Sequence, residues 1–184
     1  MSKFWSHPVT ITVAKTLKWL PVAFFFVEHG YSIATVNGRS MQPTFNPDTS
    51  LLKRDIVLLD KFSVMRRKIE VGDVVTLASP NDPKRYITKR VIADEGDLVR
   101  TLPPYPESIV RIPKGHCWVE GDETFHSRDS NTFGPVPQGL INAKVTWILW
   151  PLSRFGPVPS RTKSDRIVSR GPPVQFVEDN DSWL

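Results

Sequence analysis

Two short segments carry the residue types of a hydrolase. In the first, Gly38–Thr44 (GRSMQPT), Ser40 lies in a loop with Pro43 just behind it. In the second, Tyr86–Ile92 (YITKRVI), Lys89 lies within an apolar run. A serine hydroxyl becomes an effective nucleophile when a base removes its proton, and a neutral lysine amine is such a base. Together the two segments predict hydrolysis by a serine–lysine dyad.

The residues around Lys89 predict a strand that would lower its pKa. Tyr86–Ile92 is rich in β-branched and aromatic residues and contains no Gly or Pro. Because side chains alternate along a strand, Ile87 and Val91 share the face of Lys89. Burial on that face disfavours the ammonium form, whereas Arg90 stays charged and cannot act as a base. Taken alone, the strand also fits a lysine that extends from a strand edge into water.

The elements that must position these residues are short strands. Closely spaced β-branched runs follow Arg54, and Gly-Asp pairs at 72–73, 96–97 and 121–122 separate several of them as turns. This pattern predicts an all-β sandwich or barrel. The expected strands are Ile56–Leu59, Val74–Leu77, Tyr86–Ile92, Leu98–Thr101, Ile109–Ile112, His116–Glu120 and Lys144–Leu149.

Composition restricts the function classes further. The 184 residues include 24 Lys and Arg against 19 Asp and Glu, and these charges are dispersed rather than grouped with aromatic residues. This argues against nucleic-acid binding and favours a basic surface near an anionic membrane. Cys117 is the only cysteine, so no intrachain disulfide forms. His116, Cys117 and His126 lack the spacing and the fourth ligand of a zinc site, so no metal is expected.

The first 36 residues are predicted to form an N-terminal helix that anchors the chain to a membrane. Trp19–Val27 is an unbroken apolar run, and Lys15 and Lys18 precede it. Extended to Val36, the segment nearly reaches the length of a bilayer span. An amphipathic helix lying on the membrane is the alternative, since apolar residues also recur at helical spacing. An uncleaved anchor is favoured; if it spans the membrane, the basic residues before it would stay on one side of the membrane and the domain would face the other.

The remaining chain divides at Pro151. Residues 37–151 contain the predicted strands and form the expected catalytic domain. Residues 152–184 are rich in Pro, Ser and Arg and end in an acidic run, so a flexible tail is expected. Phe155, Phe176 and Trp183 leave room in this tail for a docking contact with a partner.

Three segments resemble the boxes of a known family. Ser40–Thr44 resembles the serine box of type I signal peptidases, and Lys89–Ala93 resembles their lysine box. Residues 121–137 resemble the third, Gly-Asp…Ser-x-Asp-Ser box, and all three occur in the family's order. The short chain and Trp147–Pro151 (WILWP) resemble mitochondrial rather than bacterial members. The resemblance implies a signal-peptidase-like β-barrel or sandwich with an N-terminal membrane-anchoring helix.

The resemblance also implies a role for each site residue. Ser40 would attack the scissile carbonyl, and Lys89 would be the general base. Ser127 would orient the lysine amine, and Asp129 would support the loop behind it. In the bacterial enzymes a serine hydroxyl two positions before the nucleophile completes the oxyanion hole; here Gly38 offers only its backbone beside the Ser40 N–H.

Met41 and Pro43, on either side of Gln42, are expected to contact substrate. The implied activity is that of a membrane-bound serine endopeptidase, without cofactors, that removes sorting presequences from proteins delivered to the mitochondrial intermembrane space. Implied partners are a homologous catalytic subunit and a small accessory protein. Two alternatives remain: a structural subunit, suggested by the side chain missing at Gly38, and a self-cleaving regulator with the same dyad.

Overall fold

The computed structural model describes part of the N-terminal segment and most of the remaining chain. The described residues are 15, 17–21, 24–25, 30–47, 54–161 and 164–171. Most of the predicted membrane anchor therefore lies outside the described residues, as does the end of the predicted tail. Within the described ranges, no helix has both the length and the apolar character needed to span a bilayer.

The described chain is mainly β, as predicted, with only short helices. All seven predicted strands are confirmed, with ends that differ by a few residues. Helix α1 is Phe62–Met65 and helix α2 is Ser130–Phe133. The strands are β1 Tyr31–Thr35, β2 Ile56–Asp60, β3 Val74–Ser79, β4 Asp82–Ala93, β5 Leu98–Arg100, β6 Ile109–Arg111, β7 His116–Glu120, β8 Val136–Pro137, β9 Ile141–Trp150, β10 Gly156–Pro157 and β11 Ile167–Ser169.

Eight strands form one antiparallel sheet in the order β1-β2-β9-β3-β4-β7-β8, with β10 paired to β9. A smaller sheet has the order β11-β5-β6. No pairing of the described strands joins β1 to β8, so the large sheet is open rather than a closed barrel. The long hairpin of β3 and β4 places Lys89 opposite Val75.

Alternating apolar residues explain how the sheets pack. The large sheet contributes to two clusters, one that contains Val74 and Phe45 and one that contains Val75 and Leu77, and a third cluster around Trp118 joins the two sheets. Val74 and Val75 are neighbours in β3, so the first two clusters lie on opposite faces of the sheet. Burial of branched and aromatic side chains is the main favourable contribution to such a core. The first cluster includes residues of the Ser40 loop, so the core itself fixes the position of the candidate nucleophile.

Two segments differ from the sequence-based expectations. Tyr31–Thr35, assigned to the anchor over residues 1–36, is instead a strand that pairs with β2 along its whole length. Residues 152–161 and 164–171, assigned to a flexible tail, carry β10 and β11 and make buried contacts. In both cases pairing with another strand satisfies the backbone groups of a segment that the sequence pattern did not identify as a strand.

Candidate active site

Ser40 lies in the loop between β1 and β2, and hydrogen bonds made by side chains join residues near the two ends of that loop. Asn46 Nδ2 donates hydrogen bonds to Val36 O at 2.9 Å and to Gly38 O at 3.3 Å. The Asn46 and Asp55 residues exchange two more bonds, each 2.8 Å long, between a backbone N–H and a side-chain oxygen. Gly38 has φ +90°, a backbone conformation that glycine adopts without strain. The loop is therefore held against β2.

The apolar residues after Ser40 anchor the loop to the hydrophobic core. Met41 and Phe45 are 2% and 1% exposed and pack in the first core cluster. Met41 lies at the edge of the groove that Ser40 and Lys89 line, but its side chain is buried. Pro43 is exposed and lies outside the groove lining. The substrate contacts expected at Met41 and Pro43 stay predictions: Met41 packs in the core at the edge of the groove, and Pro43 is an exposed turn residue.

Lys89 is buried in β4, with 3% of the residue exposed, so the alternative of a solvated amine is wrong. Its Nζ donates a hydrogen bond of 2.8 Å to Ser127 Oγ. Burial lowers the pKa of Lys89 from 10.5 to about 8, while Asp129 opposes this shift and Arg85 adds to it through charge. Desolvation disfavours the ammonium, so a useful fraction of the amine is neutral near physiological pH.

The lowered pKa of Lys89 predicts a pH dependence. Only the neutral amine can accept a proton, so the kcat/KM of a reaction in which Lys89 is the base should rise about tenfold per pH unit below the pKa and level off above pH of about 8. Removing the like charge in Arg85→Gln should raise the pKa of Lys89 and move this rise to higher pH. Initial rates from pH 6 to 10 on one peptide measure both effects; a profile that is flat over this range would contradict them.

Ser40 and Lys89 line one groove of about 740 Å³. Among the described residues no hydrogen bond joins Lys89 Nζ to Ser40 Oγ. Catalytic hydrogen bonds are often long before substrate binds, so this geometry is compatible with proton transfer. Gly121 allows the Ser40 loop and the Ser127 segment to approach each other, because a Cβ at this position would overlap both the Ser127 side chain and Ser40 O. Glu123 N donates to the same Ser40 O at 3.1 Å.

Asp129 supports the chain on both sides of Ser127. Its carboxylate accepts hydrogen bonds from Asn131 N at 3.1 Å and from Gly121 N at 3.0 Å. The first bond caps α2 at its N-terminus. The second fixes the glycine on which Ser40 and Ser127 both pack. Asp129 makes no hydrogen bond to Lys89 within the described chain, and it acts on the amine through charge.

Arg90 is a structural residue whose role the sequence reasoning missed. Its guanidinium is fully buried and binds Asp122 through two hydrogen bonds of 2.8 Å. It also donates to Gly72 O at 2.7 Å and Pro159 O at 3.0 Å, while Thr44 Oγ1 donates to Asp122 at 2.5 Å. The cluster joins the serine, lysine and third boxes. The signal was available, since each of the three boxes contributes one of these polar residues.

Two arginines from the predicted tail also reach the site, and no local signal marks them. Arg154 forms an ion pair with Asp55 and donates to Thr44 O at 2.5 Å, behind the Ser40 loop. Arg166 Nη2 lies 2.6 Å from Glu120 Oε1 in a buried ion pair on β7. Through these ion pairs, the described part of the C-terminal segment supports both the serine loop and the strand that leads into the third box.

The remaining candidate ligands do not assemble into a metal site. In the parts of the chain that the structure describes, no three His, Cys, Asp or Glu side chains are placed to hold a metal ion. Cys117 is buried in β7, and burial raises the pKa of its thiol to about 12. The thiol therefore stays protonated and behaves as a small apolar group.

This arrangement of side chains is suited to acyl transfer. It combines a half-buried serine, a buried lysine with a lowered pKa, and a second serine that hydrogen-bonds the lysine amine. Nucleophile, base and orienting group are the parts that such a reaction requires.

Comparison with known proteins places these residues in a family. The family model for signal peptidase, peptidase S26, matches residues 9–102 and 100–150. Mitochondrial inner membrane protease subunit 2 of Schizosaccharomyces pombe is 50% identical over 155 residues, which cover 84% of this chain and 82% of the relative. Its Mus musculus counterpart is 48% identical over 136 residues, or 74% and 77% of the two chains.

A relative of a different name also matches. Mitochondrial inner membrane protease subunit 1 of Homo sapiens is 38% identical over 146 residues, which cover 78% of this chain and 84% of the relative. The chain therefore belongs to the signal peptidase family, peptidase S26, and is similar to the subunit 2 proteins of the mitochondrial inner membrane protease.

Proposed function

We propose that this chain is a membrane-bound serine endopeptidase that removes hydrophobic sorting presequences from proteins delivered to the mitochondrial intermembrane space. Ser40 is the nucleophile and Lys89 the general base. The observation that carries the proposal is the buried Lys89 amine, hydrogen-bonded to Ser127 and lining the same groove as Ser40. A buried, partly neutral lysine beside a serine nucleophile can act as its general base. A structural subunit would have no use for such an amine.

The reaction follows from the proton positions. Neutral Lys89 accepts the proton of Ser40 Oγ as that oxygen attacks the scissile carbonyl carbon, and the ammonium then protonates the leaving amine. Water hydrolyses the resulting ester by the same route, with Lys89 again the base. Ser127 Oγ accepts a hydrogen bond from Nζ throughout and holds the amine toward the groove.

The oxyanion formed in each step needs backbone donors. The Ser40 N–H makes no hydrogen bond to any described residue, so it is free to bind the oxyanion. Gly38 lies two positions earlier with an open surface and offers only its backbone. Removing one donor from such a site commonly costs about 2.7–4 kcal/mol, so we assign the second donor to the backbone beside Gly38 or to a water bound there.

The substrate would bind as an added strand. β1 is the first strand of the large sheet and has β2 on one side only. In β4, residues 82–89 pair with β3, whereas β7 reaches only Arg90 and the residues after it. Both strands contribute to the groove lining, and among the described strands each leaves one edge free there. Free edges can bind an extended peptide through main-chain hydrogen bonds.

The setting of the enzyme rests on its relatives. Proteins named as subunits 1 and 2 of the mitochondrial inner membrane protease both match this chain. We therefore place it at the inner membrane, assembled with a homologous subunit 1 and a small accessory protein. The N-terminal segment anchors it, and the catalytic domain, extended here from residues 37–151 to include β1 and residues 152–171, faces the intermembrane space.

Processing in mitochondria tests this proposal. Chains with Ser40→Ala or Lys89→Met, expressed at normal abundance, should leave one set of presequence-bearing intermediates uncut, because each lacks an element of the dyad. N-terminal sequencing of the mitochondrial proteome would identify that set. Ser79→Ala, a groove serine away from the dyad, is the control and should process normally.

The same experiment separates the enzyme from a structural subunit. Substrates of the homologous subunit should still mature in the Ser40→Ala mitochondria, because that subunit keeps its own active site. Normal maturation of all proteins with either variant would mean that the dyad is not used. The chain would then act chiefly as a structural subunit that stabilises a catalytic partner.

A further inference from the structure

The groove has an excess of positive charge that the reaction does not explain. Besides Lys89, its lining includes Arg39, Arg85 and Arg128. Among the described residues of that lining, the only carboxylate is that of Asp82. Asp82 already accepts a hydrogen bond from Lys84 N at 3.1 Å, at the tip of the β3–β4 hairpin. A cleft lined by one sign of charge attracts ligands of the opposite sign.

The arginines of the groove are unlike the structural arginines of this protein. The side chains of Arg85 and Arg128 are exposed and form no ion pair or hydrogen bond with the described residues, and the Arg39 side chain donates only to Gln42 Oε1, at 3.3 Å. By contrast, Arg90, Arg154 and Arg166 each bind a buried carboxylate. Since none of the groove guanidinium groups binds a carboxylate among the described residues, they are available to a ligand.

These guanidinium groups surround the reacting residues. Arg39 directly precedes Ser40, and Arg128 directly follows Ser127. Arg85 lies four positions before Lys89 in β4, a distance of about 13 Å along the strand. Its charge is close enough to Lys89 to affect the pKa of that amine. An extended peptide in the groove would therefore meet a guanidinium within about four residues of its scissile bond.

We infer that the groove selects substrates with an Asp or Glu side chain within about four residues of the scissile bond, bound by Arg39, Arg85 and Arg128. A carboxylate matches the planar donor fork of arginine, which binds it through two parallel hydrogen bonds. The inference rests on the proposed function, because it names the substrate class of the same site. It adds a charge requirement to the strand-addition geometry of the groove.

Paired peptides test this selection. The probes are extended peptides with alanine around one cleavable bond, in which Glu or Gln occupies one position at a time from four before to four after the bond. Full-length enzyme in detergent, with any chains that copurify, should cleave the best Glu peptide about 5-fold faster in kcat/KM than its Gln pair. Raising the ionic strength from about 0.05 to 0.5 M should reduce that ratio, since salt screens exposed charges.

Matched variants assign the selection to its residues. Arg39→Gln, Arg85→Gln or Arg128→Gln should each bring the ratio closer to one at the position its side chain contacts, with little change for the Gln peptides at the pH optimum of each variant. Arg100→Gln removes the same charge from an exposed residue of the smaller sheet, outside the groove lining, and should keep the full ratio.

The outcomes distinguish this inference from the proposed function. Cleavage of the Gln peptides with no gain for Glu at any position would overturn the inference alone. A Glu preference that survives in the variant lacking all three arginines would also overturn it. Failure of the wild-type enzyme to cut any peptide faster than Ser40→Ala would overturn the proposed function, and the inference with it.

Discussion

Ser40→Ala and Lys89→Met chains are expected to cleave a peptide at least about 10³-fold more slowly than the wild type in kcat/KM. Alanine removes the proposed nucleophilic oxygen, and methionine keeps the shape of the lysine stem but removes the proposed base. Initial rates with one quenched peptide at pH 8 measure the loss. Ser79→Ala is the matched control, because it removes a hydroxyl that lines the groove without touching Lys89. Activity within tenfold of the wild type in either variant would contradict the dyad.

Thermodynamic stability should separate this loss from misfolding. Because burial lowers the pKa of Lys89 in the folded state, the charged amine opposes folding below pH of about 8, and this cost disappears above the unfolded pKa of 10.5. The cost is on the order of 3 kcal/mol. Lys89→Met should therefore unfold with a free energy at pH 7 at least equal to that of the wild type. The wild type should gain stability relative to this variant between pH 8 and 10.5.

Breaking the buried ion pair of Arg90 and Asp122 should have the largest effect on stability. Arg90→Met leaves the buried Asp122 carboxylate without its counter-charge and removes one donor from each of two carbonyl oxygens, and Asp122→Asn leaves a buried guanidinium without its counter-charge. Each change should lower the free energy of unfolding by about 3–5 kcal/mol. Urea unfolding measures it, and peptidase activity should fall as well, because the pair joins all three boxes.

A partly exposed ion pair is the control for this prediction. Lys144 Nζ lies 2.7 Å from Asp73, but 27% of the lysine side chain is exposed. Lys144→Met should cost about 1 kcal/mol or less, since solvent screens such a pair. A double variant of Arg90 and Asp122 should be less destabilised than the two single variants summed, because neither charge remains unpaired. Equal costs at the two ion pairs would argue against the burial effect.

The strands were predictable because their signals are local. Alternating β-branched residues and Gly-Asp turns lie within a few positions of each other, and all seven strands predicted from them occur in the structure. The strand at Tyr31–Thr35 was missed because it continues the apolar N-terminal run, so its composition fits an anchor equally well. The strands β10 and β11 were missed because two- or three-residue pairings leave no pattern to detect.

The candidate site divides in the same way. Ser40, Lys89, Ser127 and Asp129 could be named from the order and spacing of three boxes, since their chemistry depends on residue type. Whether Lys89 is solvated or buried could not be decided from its strand, because both faces of β4 carry polar and apolar residues. The 3% exposure and the bond to Ser127 arise from packing between β4 and the third box.

From the amino-acid order alone, the family, the mainly β fold and the candidates for the reactive residues followed, because motifs and strand periodicity are short-range properties. Folding in three dimensions decided which charges support the site. The pairs Arg90–Asp122, Arg166–Glu120 and Arg154–Asp55 join residues 32, 46 and 99 positions apart. No local pattern selects the partner of an arginine at such separations; the partner is set by which carboxylate the packed sheets bury beside it.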